Sequence, residues 1–253
     1  MKIITFISIC LLFVTDVTYA DWQSNVEKYW VQSPDLSTNG IDIDNSGWLS
    51  FPLADDFRCT KTGPITGIRI WASFFEDRLP ADGEGSLVFS LAIYADIPAG
   101  QQESWSMPGE PLKVWDEIRP VSVSLVADDI GEDWYDLETE IWTNNNHQKA
   151  YLYDFGVTED PFTQTKDNIY WLAVYLLTPN PDEFRFGWKT SDLQWNDNAV
   201  WNDLMGGGWE PLTYPPGHEY EGDKLDLAFV ITPEPASMLL LGLGGLALLR
   251  KRR

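Results

Sequence analysis

Ile68-Arg69-Ile70-Trp71-Ala72-Ser73-Phe74 is the stretch on which the fold class turns. Ile68, Ile70, Ala72 and Phe74 recur at every second position, the period at which a strand places side chains on one face of a sheet. The same period runs through Leu87–Tyr94 as Leu87, Phe89, Leu91 and Ile93, and through Leu225–Ile231 as Leu225, Leu227, Phe229 and Ile231. Phe184, Phe186 and Trp188 alternate with Arg185, Gly187 and Lys189, which predicts a half-buried strand. Ile169–Leu177 is apolar on both faces and reads as a central strand buried between layers. Proline- and glycine-rich stretches separate these segments and oppose helices: Pro80–Gly83, Pro98–Gly100, Pro179–Asp182 and Pro215–Gly217. No amphipathic helical pattern stands out between Asp21 and Thr232. The expectation is an all-β fold, an antiparallel β-sandwich of jelly-roll-like form.

At 253 residues with 44% hydrophobic content, the chain can bury a sizeable core. Residues 21–232 show no repeat, linker or shift of composition, so one domain is the simpler reading. That body carries 12 Lys+Arg against 37 Asp+Glu, a net charge near −25. Such a surface repels nucleic acid, which excludes DNA or RNA as the expected partner, and it suits a solvated exterior able to hold divalent cations.

The two ends read as delivery signals. Lys2, the apolar run Ile3–Val14 and Thr18-Tyr19-Ala20 before Asp21 have the layout of a secretory signal peptide, cut between Ala20 and Asp21 after export through the Sec pathway. Cys10 would leave with it, and Cys59 would remain as a buried free thiol in a strand. At the far end, the apolar run Ala236–Leu249 is shorter than an ordinary membrane span, which needs roughly 18–20 residues. Arg250-Lys251-Arg252-Arg253 closes it as a cytoplasmic stop would, and Pro233-Glu234-Pro235 precedes it.

Pro-Glu-Pro, a short apolar helix and a terminal basic cluster together resemble the PEP-CTERM sorting signal of Gram-negative bacteria. The resemblance implies an exosortase-type processing enzyme as partner, with Pro233, Glu234 and Pro235 as the recognition residues and Arg250, Lys251, Arg252 and Arg253 as the stop. It also implies a transient anchor in the inner membrane, delivery to the cell surface or extracellular matrix, and an association with exopolysaccharide. The expected organisation is therefore a signal peptide over 1–20, a β-sandwich over 21–232 and a sorting signal over 233–253. A second resemblance rests on Ala54–Cys59, Gly63–Ile68, Ile169–Leu172, Phe186–Ser191 and Trp195–Trp201, which look like blocks of an uncharacterised family of secreted bacterial domains. It implies no activity.

Three kinds of chemistry are worth weighing in the body. Asp42-Ile43-Asp44-Asn45-Ser46-Gly47 sets oxygen ligands at alternate positions before a glycine, as calcium loops do, with Asp42, Asp44 and Ser46 as candidate ligands. Leu53 occupies the twelfth position, where such a loop needs a bidentate Glu, and Asp55 and Asp56 lie close enough to substitute. The bland alternative is an Asx-rich turn. Of the thirteen tryptophans, Trp71, Trp171 and Trp188 fall in strand patterns and read as core. Trp195, Trp201 and Trp209 sit in a turn-rich region with Asn196, Asp197, Asn202 and Asp203, where rings could stack on sugars, or else pack on the sheet edge. For catalysis, His147 and His218 are the two histidines, and neither lies in a motif with Ser, Cys or metal-ligand spacing. The adjacent pairs Asp55-Asp56 and Asp128-Asp129 read as solvated or turn residues. The expectation is a non-enzymatic surface protein, with a carbohydrate-binding module and a polysaccharide-active hydrolase or lyase as rivals.

Overall fold

The computed structural model of the protein describes residues 28–46, 52–203 and 208–233. The signal peptide and its Ala20–Asp21 junction lie outside the described residues, as do Glu234, Pro235, the apolar run and the basic cluster. Among the described residues, no helix is long and apolar enough to cross a membrane.

These residues form an all-β structure whose helical content is two single 3-10 turns, Phe75–Asp77 and Glu84–Ser86. One sheet contains β1 (Trp30–Gln32), β2 (Ile41–Asp44), β5 (Gly67–Phe74), β8 (Ser122–Ala127), β9 (Glu132–Asp136), β10 (Ile141–His147), β11 (Ala150–Gly156), β14 (Phe186–Lys189) and β17 (Phe229–Thr232). The other contains β3 (Leu53–Arg58), β6 (Phe89–Ile97), β7 (Met107–Ile118), β13 (Ile169–Leu176), β15 (Val200–Asp203) and β16 (Gly208–Pro211). A short ladder joins β4 (Gly63–Ile65) to β12 (Phe162–Gln164).

The stretch Ile68–Phe74 lies in β5, the hub of the first sheet. β11 pairs along one edge of β5, while β17 and β14 share the other edge, β17 opposite Gly67–Ile70 and β14 opposite Ala72–Phe74. From β17 the sheet continues to β1, and from β14 it continues through β2 and β9 to β10. Each of these pairings is antiparallel except β2 with β9, which is parallel. In the second sheet the order is β16-β15-β3-β13-β6-β7, so β13 lies between β3 and β6 as its two-faced apolar sequence predicts.

The alternating residues meet between the sheets. Ile68, Ile70, Ala72 and Phe74 join Phe89, Leu91 and Ile93 and Leu225, Leu227, Phe229 and Ile231 in one buried cluster. Edge-to-face rings bridge the layers: Phe57 of β3 meets Phe229 of β17 at 6.0 Å, and Phe89 of β6 meets Phe155 of β11 at 5.2 Å. Leu87, Leu225 and Leu227 are buried there but lie outside the regular strands, so the pattern marks burial a little beyond the hydrogen-bonded ladder. Cys59 is a buried free thiol at the end of β3.

Both sheets are also covered on their outer faces. Trp71, Ala228 and Val230 form a second apolar layer outside the first sheet. Ala54, Ala92, Trp171, Ala173 and Val200 form a third outside the second sheet, with Tyr94, Trp105 and Trp209 packed on it. Two expectations are corrected, Asp55 being buried between the sheets and Asp56 and Lys189 beneath the outer coverings. Asp55 and Asp56 are not solvated but fully buried on β3, and Lys189 is not on a solvent face but fully buried on β14. Asp128 and Asp129, by contrast, are exposed in the bend after β8.

Candidate functional site

The two-residue period that buries Ile41, Ile43, Phe184, Phe186 and Trp188 in the core sends the residues between them to the outer face of the first sheet. On β14 and the residue before it, these are Arg185, Gly187 and Lys189. On β2 they are Asp42 and Asp44, and on β9 they are Glu132, Trp134 and Asp136. Three neighbouring strands thus lay bases beside acids in two rows. The register pairs Lys189 with Asp42, Asp42 with Trp134, and Glu132 with His147 of β10.

The first row is a tetrad of fully buried charges. Lys189 Nζ donates to Asp42 Oδ2 at 2.6 Å and to Glu132 Oε2. His147 Nε2 lies 3.0 Å from Asp42 Oδ2 and 3.3 Å from Glu132 Oε2. Burial pushes the Asp42 carboxyl up, but Lys189 and His147 pull harder and hold it below the usual range. Burial alone would lower His147 and Lys189; the carboxylates beside them raise both. The second row is less buried: Arg185 bridges Asp44 and Asp136, 2.8 Å from Asp136 Oδ2, with its guanidinium 5.2 Å from the Phe75 ring centre.

Trp134 separates the rows and roofs the tetrad, its ring edge-on to His147 at 6.0 Å. Gly187 is what admits that ring. A Cβ built there would lie 2.9 Å from Trp134 and 2.9 Å from Asp42 Cβ, so any larger residue would displace the indole.

Asp42, Glu132 and His147 each offer a ligand atom, all within 4.8 Å of one another, a donor set that could hold a divalent metal. The Lys189 ammonium, however, already bonds the same two carboxylates, so the chain supplies this site's cation itself. The geometry is that of an ion-pair network under a tryptophan roof. Removing one member of such a network would leave a buried charge without its partner.

The residues expected to form a calcium loop are divided by this arrangement. Asp42 and Asp44 lie on a strand rather than in a loop, Asp42 bound to Lys189 and Asp44 to Arg185. Ser46 donates to Asp44 Oδ1 from its amide at 2.7 Å and its hydroxyl at 2.9 Å, closing the strand end. The three tryptophans proposed as a stacking platform are divided too. Trp195 packs edge-on against Trp30 at 4.9 Å, and Trp201 packs against the core. Trp209 sits across the hairpin opposite Asn202, on the other face from Trp201, with its ring centre 6.0 Å from that of Tyr94 in an edge-to-face arrangement.

Glu132 and His147 escaped the sequence reading because Lys189, which bonds Glu132, is 57 positions away from it, and Asp42, nearest to His147, is 105 positions away. A signal was present. Arg185-x-Gly187-x-Lys189, Asp42-x-Asp44 and Glu132-x-Trp134-x-Asp136 share one period and opposite charge, the pattern that neighbouring strands need to pair.

A packed all-β domain, whose last strand β17 ends at Thr232 just before Pro-Glu-Pro, defines the class: an exported protein with an appended sorting tail. A model of the PEP-CTERM protein-sorting motif matches residues 232–253, the signal that exosortase recognises, so the chain is an exosortase-sorted exported protein. The chain belongs to the family described as Domain of unknown function (DUF7901), whose model matches residues 28–232. No curated protein and no solved structure matches it.

Proposed function

We propose that the protein is a non-enzymatic component of the cell surface or extracellular matrix of a Gram-negative bacterium, exported through the Sec pathway and associated with exopolysaccharide. In this reading the tail holds the chain in the inner membrane while an exosortase-type enzyme processes it, and the β-domain is the cargo. The observation that carries the proposal is the junction: β17 is hydrogen-bonded into the first sheet through Thr232, and the sorting motif starts where that pairing stops. The strand orders β1-β17-β5-β11 and β3-β13-β6-β7, with the chain passing between the two sheets, favour the jelly-roll form of sandwich. Truncation after Thr232 leaves every strand intact and should move the protein from the envelope to the medium. An unchanged distribution would refute the proposal.

A specific feature favours carbohydrate binding as a second reading. Tyr94, Trp105 and Trp209 are half-exposed on the outer face of the second sheet, over a floor of small residues, Ala54, Ala92 and Ala173. Rings above a shallow apolar floor suit the faces of sugars better than the divided set Trp195, Trp201 and Trp209. Affinity electrophoresis of the full chain in gels cast with the host's exopolysaccharide tests it. Retardation that disappears in Trp209→Ala supports this reading, and equal mobility with and without polysaccharide sinks it.

A further inference from the structure

The tetrad beneath Trp134 brings together the two reactants of an amide bond. Lys189 on β14 and Asp42 on β2 stand directly opposite each other on neighbouring antiparallel strands, although 147 positions separate them in the chain. Lys189 Nζ lies 2.6 Å from Asp42 Oδ2, and the carboxyl carbon Cγ is one covalent bond beyond that oxygen. Glu132 Oε2 accepts a second hydrogen bond from the same ammonium. His147 Nε2 is 3.0 Å from Asp42 Oδ2 and 3.3 Å from Glu132 Oε2, so it touches both acids. Asp42 Oδ1 has no hydrogen-bond partner among the described residues. The contacts of this carboxylate with Lys189 and His147 thus fall on one oxygen, Oδ2.

The surroundings favour reaction between them. All four side chains of the tetrad are fully buried and the Trp134 ring lies over them, which keeps water away. Two opposite charges in such a place are costly even when paired, and a neutral amide removes that cost. Burial pushes Asp42 up and Lys189 down, toward their neutral forms; their attraction to each other and to His147 and Glu132 keeps them charged. Holding the nitrogen against the carboxyl in one fixed geometry supplies the entropy that condensation between separate molecules lacks. Cys59 is a free thiol, so among the described residues no disulfide ties one strand to another. A bond from β14 to β2 would provide the covalent tie.

We propose that Lys189 and Asp42 condense into an intramolecular isopeptide bond, with Glu132 as proton acceptor and His147 as proton donor. The ion pair is the reactant state. Glu132 Oε2 takes a proton from Nζ, and the freed lone pair attacks Asp42 Cγ. The bond from Cγ to Oδ2 then breaks, with His147 Nε2 protonating the departing oxygen and Oδ1 remaining as the amide carbonyl. In sum, two protons leave Nζ and two reach Oδ2, so an ammonium and a carboxylate become an amide and one water. Glu132 and His147 return to their starting states, His147 recovering its proton across the contact with Glu132. No other reactant is consumed.

Peptide mapping by mass spectrometry of the full chain purified from cells tests the proposal. Trypsin cannot cut after an acylated Lys189, so the digest should contain residues 29–58 joined to residues 186–224, lighter than the two together by one water. Lys189→Arg keeps the positive charge but supplies a poor nucleophile, so the two segments should come apart. Its Tm should fall by about 10–20 °C, the loss of a cross-link that closes so long a loop. Glu132→Gln keeps both reacting groups and should slow formation of the link about a hundredfold, read on protein whose near-ultraviolet circular dichroism matches the parent's. Residues 29–58 recovered unlinked from the parent, or Lys189 joined to the peptide that holds Glu132, would overturn the proposal. So would a link that forms at the parent's rate in Glu132→Gln.

Discussion

Lys189→Met is the substitution that most directly probes the buried tetrad. Methionine matches the length of the lysine stem but removes the ammonium that bonds Asp42 Oδ2 at 2.6 Å and Glu132 Oε2. At that separation the attraction between Lys189 and Asp42 alone is roughly 6 kcal/mol for an effective dielectric constant of about 20. The net loss is smaller, because a stranded carboxylate can take up a proton, and breaking one member out of a buried pair typically costs about 3–5 kcal/mol. Against a typical domain stability of about 5–15 kcal/mol, that is a large fraction. Urea unfolding followed by tryptophan fluorescence should show the midpoint falling by about 1–3 M, with an unchanged slope. The loss should shrink as pH is lowered from 7.5 to 5, since acid neutralises the stranded carboxylates of the variant. A loss below about 1 kcal/mol, or one that does not shrink in acid, would refute the view that Lys189 is the site's cation.

Other outcomes follow from the same geometry. His147 is raised above its usual value, so its contribution is fully present below about pH 6.5 and lost as pH rises through the folded value. Stability measured from pH 6 to 9 should therefore fall less steeply in His147→Gln than in the parent, and parallel curves would contradict the ion pair. Asp42 is held below its usual value, so its contribution is present above about pH 4 and lost on further acidification; Asp42→Asn should blunt the acid limb of the same titration. Gly187→Ala should cost about 1–3 kcal/mol by forcing the new Cβ against Trp134, read as a lower Tm and altered near-ultraviolet circular dichroism. Arg185→Met should cost less than Lys189→Met, because Arg185 is partly solvated where Lys189 is not; the reverse order in urea midpoints would contradict the burial argument.

The strands were legible because burial follows a local period. Ile68–Phe74 and Phe89–Ile93 announce their inward faces residue by residue, Ile169–Leu176 announces a strand covered on both faces, and the structure places them in the two facing sheets. The outer faces were not legible in the same way. Whether Asp56 or Lys189 meets water depends on what packs above it, and the covers, Trp134 over the tetrad and the segment with Trp105 and Asn196 over β3, come from distant parts of the chain. The parallel pairing of β2 with β9 is also invisible locally, yet it sets Asp42 beside Trp134 and brings Glu132 within reach of Lys189. Trp195, Trp201 and Trp209 were grouped by proximity in sequence, whereas the β15–β16 hairpin sends Trp201 and Trp209 to opposite faces. The sorting tail was legible because its information lies in the order of three short elements, a property of the sequence itself rather than of packing.

The most direct test of the account is the C-terminal residue of the protein recovered from cells. Intact-mass spectrometry of the envelope and released fractions should show the chain ending between Pro233 and Arg253 when the exosortase-type enzyme is present. It should show the chain running through to Arg253 when that enzyme is deleted. A chain that ends at Arg253 in both strains would contradict processing of the tail and with it the proposed route to the cell surface.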